Sequence, residues 1–408
     1  MVDYFRKSIE LHKKTKGKWE VRSKVPLNTK EDLSLAYTPG VAAVCEKIAI
    51  DPSRAYELTL KGNSVAVLTD GSAVLGLGDI GPEASLPVME GKAILFKEFA
   101  GIDAIPLAIN SSSPQETIAI AKALAPTFGG INLEDIKAPK CFEIEDALQD
   151  IGIPVFHDDQ HGTAIVLLAA LINASKVINK PLTDMTVVIN GAGAAGAAIA
   201  KLLCCIGQDE KSCTPVKKVY ICDTKGIISK SRTDLHPYKI ELLTFTNHDN
   251  KSGTLLDALE DADVFIGVSV GNLLASKDIE KMNKDSIIIA MANPIPEIMP
   301  DEALMGGAAI VGTGRSDFPN QVNNVLAFPG IFLGALECKA KRITPAMKIA
   351  AAHALAGCVK EPRADKILPN PLDRTVAKII AEAVKVAAFA DGVVPNVEAI
   401  EFEDDKKE

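Results

Sequence analysis

Two pairs of adjacent acidic residues each follow a short apolar segment in this sequence. Glu134 and Asp135 follow one such segment, and Asp158 and Asp159 follow another. The length and pattern of both segments predict buried strands, and ligands bind at the carboxyl ends of strands in an open α/β sheet. Carboxylates gathered without thiolates suit Mg²⁺ or Mn²⁺. We therefore expect one metal site at this edge, although an isolated Asp-Asp pair would also fit a solvated loop.

Two histidines, His157 and His161, flank the second acidic pair and lie four residues apart. Imidazoles at this spacing can face the same metal ion, but such histidines more often satisfy local hydrogen bonds. We expect them to support the acids and not to bind the metal.

Lys92 is the candidate general base. It shares a stripe at helical spacing with Leu95, Phe96 and Phe99, whereas Lys97 lies off that stripe. A lysine that faces inward tends to have a lowered pKa, which suits a base. The alternative is a lysine whose stem packs against apolar neighbours while its amine reaches water. The pattern alone leaves both open.

Three further positions carry groups that could act on a substrate. Tyr37 precedes a Thr-Pro-Gly turn and fits a general acid with a lowered pKa, or an anchoring aromatic residue. Asn293 follows an apolar strand, in the position of an amide ligand. Asn323 and Asn324 are paired amides in a loop, where they fit either ligands or turn formers.

A glycine-rich loop predicts a dinucleotide site. Asn190-Gly-Ala-Gly-Ala-Ala-Gly196 lies directly between a strand, Met185–Asn190, and an alanine-rich helix. Glycines there permit a tight turn and let backbone N–H groups approach a pyrophosphate at the helix N-terminus.

The ribose partner expected after this loop is Asp223, at the end of the next strand. This acid favours NAD, while Lys217, Lys218 and Lys225 are near enough in sequence to leave NADP open. Asp223 would otherwise be a capping or turn residue.

Strands alternate with helices from residue 64 onwards, which predicts a mostly parallel sheet covered by helices. We expect an α/β fold in three parts: an N-terminal substrate domain (1–158), a Rossmann-type dinucleotide-binding domain (159–345) and a C-terminal helical segment (346–408). The charged tail, 401–408, is expected to be disordered.

The composition is that of a globular protein with a sizeable core, with 47% hydrophobic residues among 408 and a net charge of −9. The absence of a basic tract argues against a nucleic-acid partner, and we expect no membrane span. No Cys-x-x-Cys pair occurs among the eight cysteines. This usage favours buried thiols over a disulfide framework, and a cytoplasmic location.

Seven motifs occur in one order along the chain: Tyr-Thr-Pro-Gly-Val-Ala, Gly-Leu-Gly-Asp-Ile-Gly, Glu-Gly-Lys-Ala, Leu-Glu-Asp-Ile, Phe-His-Asp-Asp-Gln-His-Gly-Thr-Ala, Gly-Ala-Gly-Ala-Ala-Gly and Asn-Asn-Val-Leu-Ala-Phe-Pro-Gly. In these motifs, which span residues 37 to 330, the chain resembles the malic enzymes, specifically their short form from many prokaryotes and some protists.

The resemblance implies oxidative decarboxylation of (S)-malate to pyruvate and CO₂, with reduction of NAD⁺ or NADP⁺, in a homodimer whose active site lies near the interface. It implies Tyr37 as general acid and Lys92 as general base, positioned by Asp158. The implied ligands of Mn²⁺ or Mg²⁺ are Glu134, Asp135 and Asp159.

The resemblance also implies contacts with malate or the nicotinamide from Asn293 and Asn323. The residues expected to bind the dinucleotide are Thr163, Gly191, Ala192, Gly193, Ala194, Ala195, Gly196, Asp223 and Asn293.

One departure from the family pattern concerns malate. Larger members carry an arginine just before Leu-Gly-Leu-Gly-Asp that grips a malate carboxylate. Here the stretch is Gly71-Ser-Ala-Val74, so Ala73 or a neighbour takes that place. The metal, the asparagines or a partner subunit must then bind the carboxylate. Two other functions fit less well: a 2-hydroxy-acid dehydrogenase without decarboxylation, and a non-catalytic dinucleotide-binding protein.

Overall fold

The computed structural model describes residues 3–74, 76–207 and 213–395, and in them the chain forms two sheets. The strands are β1 (Ser64–Thr69), β2 (Asp103–Ala108), β3 (Gly130–Leu133), β4 (Val155–His157), β5 (Thr186–Asn190), β6 (Lys218–Asp223), β7 (Gly226–Ile227), β8 (Val264–Gly267), β9 (Ile287–Ala290) and β10 (Ile310–Thr313). The first sheet has the order β2-β1-β3-β4, and the second has the order β10-β9-β8-β5-β6-β7.

Helices cover both sheets. They are α1 (Tyr4–Thr15), α2 (Lys30–Ala36), α3 (Val41–Ile50), α4 (Ala55–Leu58), α5 (Pro82–Ala100), α6 (Pro114–Leu124), α7 (Lys140–Leu148), α8 (Asp158–Val177), α9 (Ala194–Leu203), α10 (Pro237–Leu242), α11 (Leu255–Leu259), α12 (Ser276–Ile279), α13 (Pro300–Met305), α14 (Phe328–Glu337), α15 (Pro345–Gly357) and α16 (Thr375–Ala390).

The predicted α/β class with parallel sheets is confirmed. Every strand pair is parallel except β6 with β7. Strand β1 is buried along its whole length, as expected for a sheet covered on both faces. The sequence analysis does not predict β7 and β10, which have two and four residues.

Helix α8 connects the two sheets. It begins directly after β4 with Asp158 and Asp159 in its first turn, where the helix dipole favours negative charge. It is buried almost all round and packs on α9 and α15. One continuous apolar cluster therefore runs through both halves of the molecule, including Val65, Leu167 and Val187.

The N-terminal helices differ from the rest of the chain, because α1, α2, α3 and α4 contain no buried residue. Exposed apolar side chains cluster there: Tyr4, Phe5, Ile9, Leu11, Leu33, Leu35, Tyr37, Ile50 and Leu58. An exposed apolar surface of this extent is characteristic of an interaction site.

One stretch in this region, Lys30–Ile50, is long and apolar enough by length and composition to cross a membrane. The sequence analysis expected no such run. A single stretch of this kind near an N-terminus is weak evidence of a span, and here the turn at Tyr37–Gly40 divides it into α2 and α3.

The expectation of reduced thiols is wrong at one place, because Cys205 and Cys213 form a disulfide. The spacing is not a recognisable motif. The two cysteines meet because the chain returns after α9, where the N–H of Val216 donates to the carbonyl oxygen of Leu203. Residues 208–212 between them, and the tail 401–408 with its expected disorder, lie outside the described residues. The cytoplasmic location stays a prediction.

Candidate active site

The two acidic pairs meet at the carboxyl edge of the first sheet. Strands β3 and β4 are parallel neighbours, so Glu134 and Asp135 after β3 lie beside Asp159 in the first turn of α8. One carboxylate oxygen from each of the three lies within 4.8 Å of the others. The N–H of Asp135 also donates to Asp159 Oδ2 over 2.7 Å. The structure thus brings together the three acids expected to hold a metal.

A hard divalent cation fits this group. All three potential ligand atoms are carboxylate oxygens, which Mg²⁺ and Mn²⁺ prefer. Glu134 and Asp135 are buried, and burial raises the pKa of Glu134 while the charge of Asp159 raises it further. Burial followed by the charge of Asp158 raises the pKa of Asp159 to about 6. A cation would relieve this gathering of negative charge.

Lys92 lies beside the acids and is only 7% exposed. Its Nζ is 2.6 Å from Asp158 Oδ2 and 2.9 Å from Glu134 Oε1, and it stands 4.4 Å from the centre of the Phe328 ring. Lys97, off the apolar stripe, pairs with Asp103 at the surface. The alternative of an amine that reaches water is therefore wrong for Lys92.

The expected direction of the Lys92 pKa is also wrong. Burial by itself lowers this pKa, but the negative charges of Asp158, Glu134 and Asp159 outweigh burial and raise it above the ordinary lysine value. Burial raises the pKa of Asp158 to about 7 against the opposing charge of Lys92. We assign the proton to Lys92, because three carboxylates surround one ammonium group.

Asp158 is held from two further sides. The amide of Asn324 donates to Asp158 Oδ2, the same oxygen that accepts from Lys92. A Cβ placed on Gly162 would lie 1.9 Å from Asp158 Oδ1, so only glycine fits there. Asn323, the member of the amide pair implied as a ligand, accepts the Val325 N–H at its side-chain oxygen over 3.0 Å, and its contact with malate stays a prediction.

The His161 ring takes a supporting position beside Glu145, a buried acid on α7, whereas His157 reaches this acid only through its backbone N–H. Glu145 accepts hydrogen bonds from the His157 N–H over 3.3 Å, from Gln160 Nε2 over 3.2 Å and from His161 Nε2 over 2.9 Å. Burial opposes ionisation, but His161 holds the Glu145 pKa down at about 2. Burial also lowers the pKa of each histidine. Sequence analysis missed Glu145, whose only signal is an acid within an apolar helix pattern.

Tyr37 does not lie beside the other candidate site residues. Its side chain is 67% exposed at the end of α2, and it makes none of the side-chain hydrogen bonds found among residues 3–74, 76–207 and 213–395. Ala73 does approach the acids, since its N–H donates to the carbonyl oxygen of Asp135 over 2.9 Å. A Cβ on Gly76 in the same loop would lie 3.2 Å from the Asn293 carbonyl oxygen.

The glycine loop lines a cavity of about 570 Å³ at the carboxyl edge of the second sheet. Gly191 has φ 124°, and a Cβ there would lie 2.5 Å from the Val268 carbonyl oxygen. A Cβ on Gly196 would lie 1.8 Å from the Gly191 carbonyl oxygen, so α9 packs against the loop only with glycine at this position. Thr163 does not line this cavity and is half-buried in the second turn of α8, so its contact with the dinucleotide stays a prediction.

Asp223 also lines this cavity, but its carboxylate is already engaged. It pairs with Arg232, two side-chain N–H groups of which reach it over 2.8 and 3.1 Å, and with Lys239 over 2.7 Å. Sequence analysis missed both cations, which come 9 and 16 residues later. Of the lysines it named, Lys218 pairs with Asp249 at the other end of β6.

Two family models match the chain. The model described as "Malic enzyme, N-terminal domain" covers residues 16–117, and "Malic enzyme, NAD binding domain" covers residues 160–390. Similar proteins include a "Bifunctional malic/malolactic enzyme" of Bacillus subtilis, 55% identical over 95% of this chain and 93% of its own length. An "NAD-dependent malic enzyme" of Geobacillus stearothermophilus is 53% identical over 92% of this chain and 78% of its own. An "NADP-dependent malic enzyme" of Halomonas elongata is 46% identical over 96% and 93%.

A solved structure gives the same result. The malic enzyme from Pyrococcus horikoshii superposes with a TM-score of 0.90 at 49% identity, over 96% of this chain and 92% of that one. The matches cover both sheets and the site between them, and the chain therefore belongs to the malic enzyme family.

Proposed function

We propose that this protein oxidises (S)-malate and decarboxylates it to pyruvate and CO₂, with reduction of NAD⁺ or NADP⁺. The observation that carries the proposal is the Lys92–Asp158 pair buried against Glu134, Asp135 and Asp159. This arrangement combines a proton-transfer group with a cation site in one enclosed place. Membership of the family supports the same chemistry.

Glu134, Asp135 and Asp159 would hold Mg²⁺ or Mn²⁺, and the cavity at the glycine loop would hold the nicotinamide coenzyme. When bound, the cation stabilises an enolate after loss of CO₂, and the coenzyme accepts the hydride from malate C2.

The first step that the protein's own side chains would perform is proton transfer at Lys92. Lys92 Nζ can accept the proton of the malate C2 hydroxyl only as a neutral amine, but its surroundings favour the ammonium form. Asp158 Oδ2, 2.6 Å away, is within reach to take the extra proton, and burial raises the Asp158 pKa toward that of the donor, which makes the transfer less unfavourable. Asn324 and Gly162 keep Asp158 in place for it.

Tyr37 would protonate the enolpyruvate at C3, which requires a hydroxyl shielded from water. We propose that a homodimer provides this shielding. The support is the exposed apolar surface of α1–α4, on which Tyr37 itself lies. Tyr37→Phe should lower kcat by roughly 10²-fold, the range for loss of a general acid. Tyr4→Phe, on the same surface, is the control, and full activity of Tyr37→Phe would contradict the role.

The deciding assay supplies malate and Mn²⁺ with each coenzyme in turn and identifies the product. Pyruvate with stoichiometric coenzyme reduction supports the proposal. Oxaloacetate as the final product would indicate a dehydrogenase that does not decarboxylate. Lactate without net reduction would indicate the malolactic chemistry named for the Bacillus relative. Binding of coenzyme with no turnover would indicate a non-catalytic protein.

A further inference from the structure

The carboxylate of Asp223 has no acceptor site left for ribose hydroxyls. Oδ1 accepts from Arg232 Nη1 over 2.8 Å and from the Lys225 N–H over 2.9 Å. Oδ2 accepts from Arg232 Nη2 over 3.1 Å and from Lys239 Nζ over 2.7 Å. A carboxylate offers about four acceptor positions, and all are filled. The usual reason for an acid at this position, binding of the ribose 2′-hydroxyl of NAD, does not apply here.

The same cluster has an excess of positive charge. Arg232 and Lys225 both reach Asp234, over 2.9 and 2.7 Å. Three cations, Arg232, Lys239 and Lys225, thus face two carboxylates, Asp223 and Asp234. Arg232 and Lys239 keep only 14% and 21% of their side-chain surface exposed, so both are held in place.

The cluster lies at the coenzyme cavity. Asp223, Lys225 and Lys239 line it together with the glycine loop. Helix α10, which carries Lys239, is fixed to that loop because the Tyr238 hydroxyl donates to the Ala192 carbonyl oxygen over 3.0 Å. The ammonium of Lys239 is therefore positioned relative to the pyrophosphate-binding turn.

We propose that Lys225 and Lys239 bind the 2′-phosphate of NADP⁺, so that this chain prefers NADP⁺ to NAD⁺. The inference rests on the proposed function and names its coenzyme. A phosphate presents only acceptors, which match the ammonium groups of Lys225 and Lys239, because each carries three N–H donors and reaches one carboxylate over 2.7 Å. Arg232 instead gives its donors to Asp223, Asp234 and the Gly226 carbonyl oxygen. A ribose hydroxyl would have to displace one of these donors from Asp223. Asp223 is then a positioning residue that aligns the two cations.

Calorimetric titration of the full-length protein with 2′,5′-ADP and with 5′-AMP tests this without malate or turnover. We expect 2′,5′-ADP to bind at least tenfold more tightly. Lys225→Gln and Lys239→Gln should each reduce that ratio by at least fivefold, and should shift the NADP⁺ to NAD⁺ ratio of kcat/KM in the same direction. Lys218→Gln is the matched control, because Lys218 forms an ion pair of the same length with Asp249 at the opposite end of β6. It should leave both ratios unchanged.

Equal affinity for the two nucleotides, or tighter binding of 5′-AMP, would overturn the inference. An affinity ratio of 2′,5′-ADP to 5′-AMP that stays at the wild-type value in both variants would also overturn it. If circular dichroism shows that Lys239→Gln is unfolded, Lys225→Gln carries the test, because the Lys225 side chain is 67% exposed. A retained preference for 2′,5′-ADP in a protein that does not oxidise malate would refute the proposed function and leave this inference standing. Malate oxidation by a protein without that preference would refute this inference and leave the proposed function standing.

Discussion

The ammonium of Lys92 has carboxylate oxygens at 2.6 and 2.9 Å, and a third acid, Asp159, contributes to its charge environment. An isolated buried lysine would lose its proton. Here the acids reverse that tendency, and the base depends on Asp158 to accept the proton that Lys92 must release. The pair, and not Lys92 alone, is the proton-transfer unit.

Replacement of Lys92 by methionine should therefore abolish malate oxidation. We expect kcat to fall by roughly 10²- to 10⁴-fold, the contribution of a general base. Lys97→Met is the matched control on the same helix, since Lys97 forms only an exposed ion pair with Asp103. Steady-state rates with saturating coenzyme and Mn²⁺ measure both. Lys92→Met with wild-type kcat would disprove the base assignment.

Helix α8 is under two constraints. Its first turn carries Asp158 and Asp159, and its second turn must leave room for the Asp158 carboxylate. Gly162→Ala should displace the Asp158 carboxylate, since a Cβ there meets Oδ1 at 1.9 Å. We expect a loss of about 1–3 kcal/mol in the free energy of unfolding, typical of overpacking, together with a lower kcat.

The control for that change is Gly357→Ala at the end of α15, where a Cβ meets nothing within 4 Å. It should leave activity unchanged and the free energy of unfolding equal or higher. Urea unfolding curves compare the two variants. Gly162→Ala with wild-type stability and kcat would show that Asp158 has more freedom than the packing implies.

The acids at the edge formed by β3, β4 and α8 should make metal binding depend on pH. The pKa values of Asp158 and Asp159 are raised to about 7 and about 6 in the folded protein, above their unfolded values. Both groups therefore favour the folded metal-free protein more as the pH falls through 7 and 6. A metal must displace the proton of Asp159, one of its proposed ligands, so its affinity falls as the pH falls through about 6.

We accordingly expect Mn²⁺, relative to EDTA, to raise the Tm clearly at about pH 8 and much less at about pH 5.5, because the proton on Asp159 competes with the metal at the lower pH. Differential scanning fluorimetry measures both conditions. Asp159→Asn, which removes one proposed ligand, should lose the effect at either pH. An Mn²⁺ effect of equal size at both pH values would contradict this account of the acids.

At the scale of the whole molecule, the chain has a well-buried body and an N-terminal portion, α1–α4, without a buried residue. Apolar surface of this kind is stable in water only when something covers it. A second copy of the chain is the proposed cover, and it would also enclose Tyr37.

Light scattering on the eluting protein should give the mass of a dimer. Leu35→Glu, in the exposed surface of α2, should shift the population toward monomer. Dimer formation would then remove an unpaired carboxylate from water, which costs free energy. Val386→Glu is the control, as Val386 is similarly exposed on α16 outside that surface. A wild-type protein that elutes as a monomer would refute the dimer.

Local patterns determined the class of fold and most of the site's components. Apolar segments followed by acids predict strands that deliver Glu134, Asp135, Asp158 and Asp159 to one edge, because neighbouring parallel strands end on the same side of a sheet. The glycine spacing predicts the coenzyme turn for a similar reason, since its steric requirement is local.

Only the tertiary structure decided what each group does beside its neighbours. Lys92 meets Asp158 across 66 residues of sequence and Asn324 meets Asp158 across 166, so neither the raised Lys92 pKa nor the Asn324 contact has a local signal. Asp223 likewise looks like a ribose ligand until Arg232 and Lys239 fold onto it. Charge and packing act through space, and a pattern along the chain records only which residues are available.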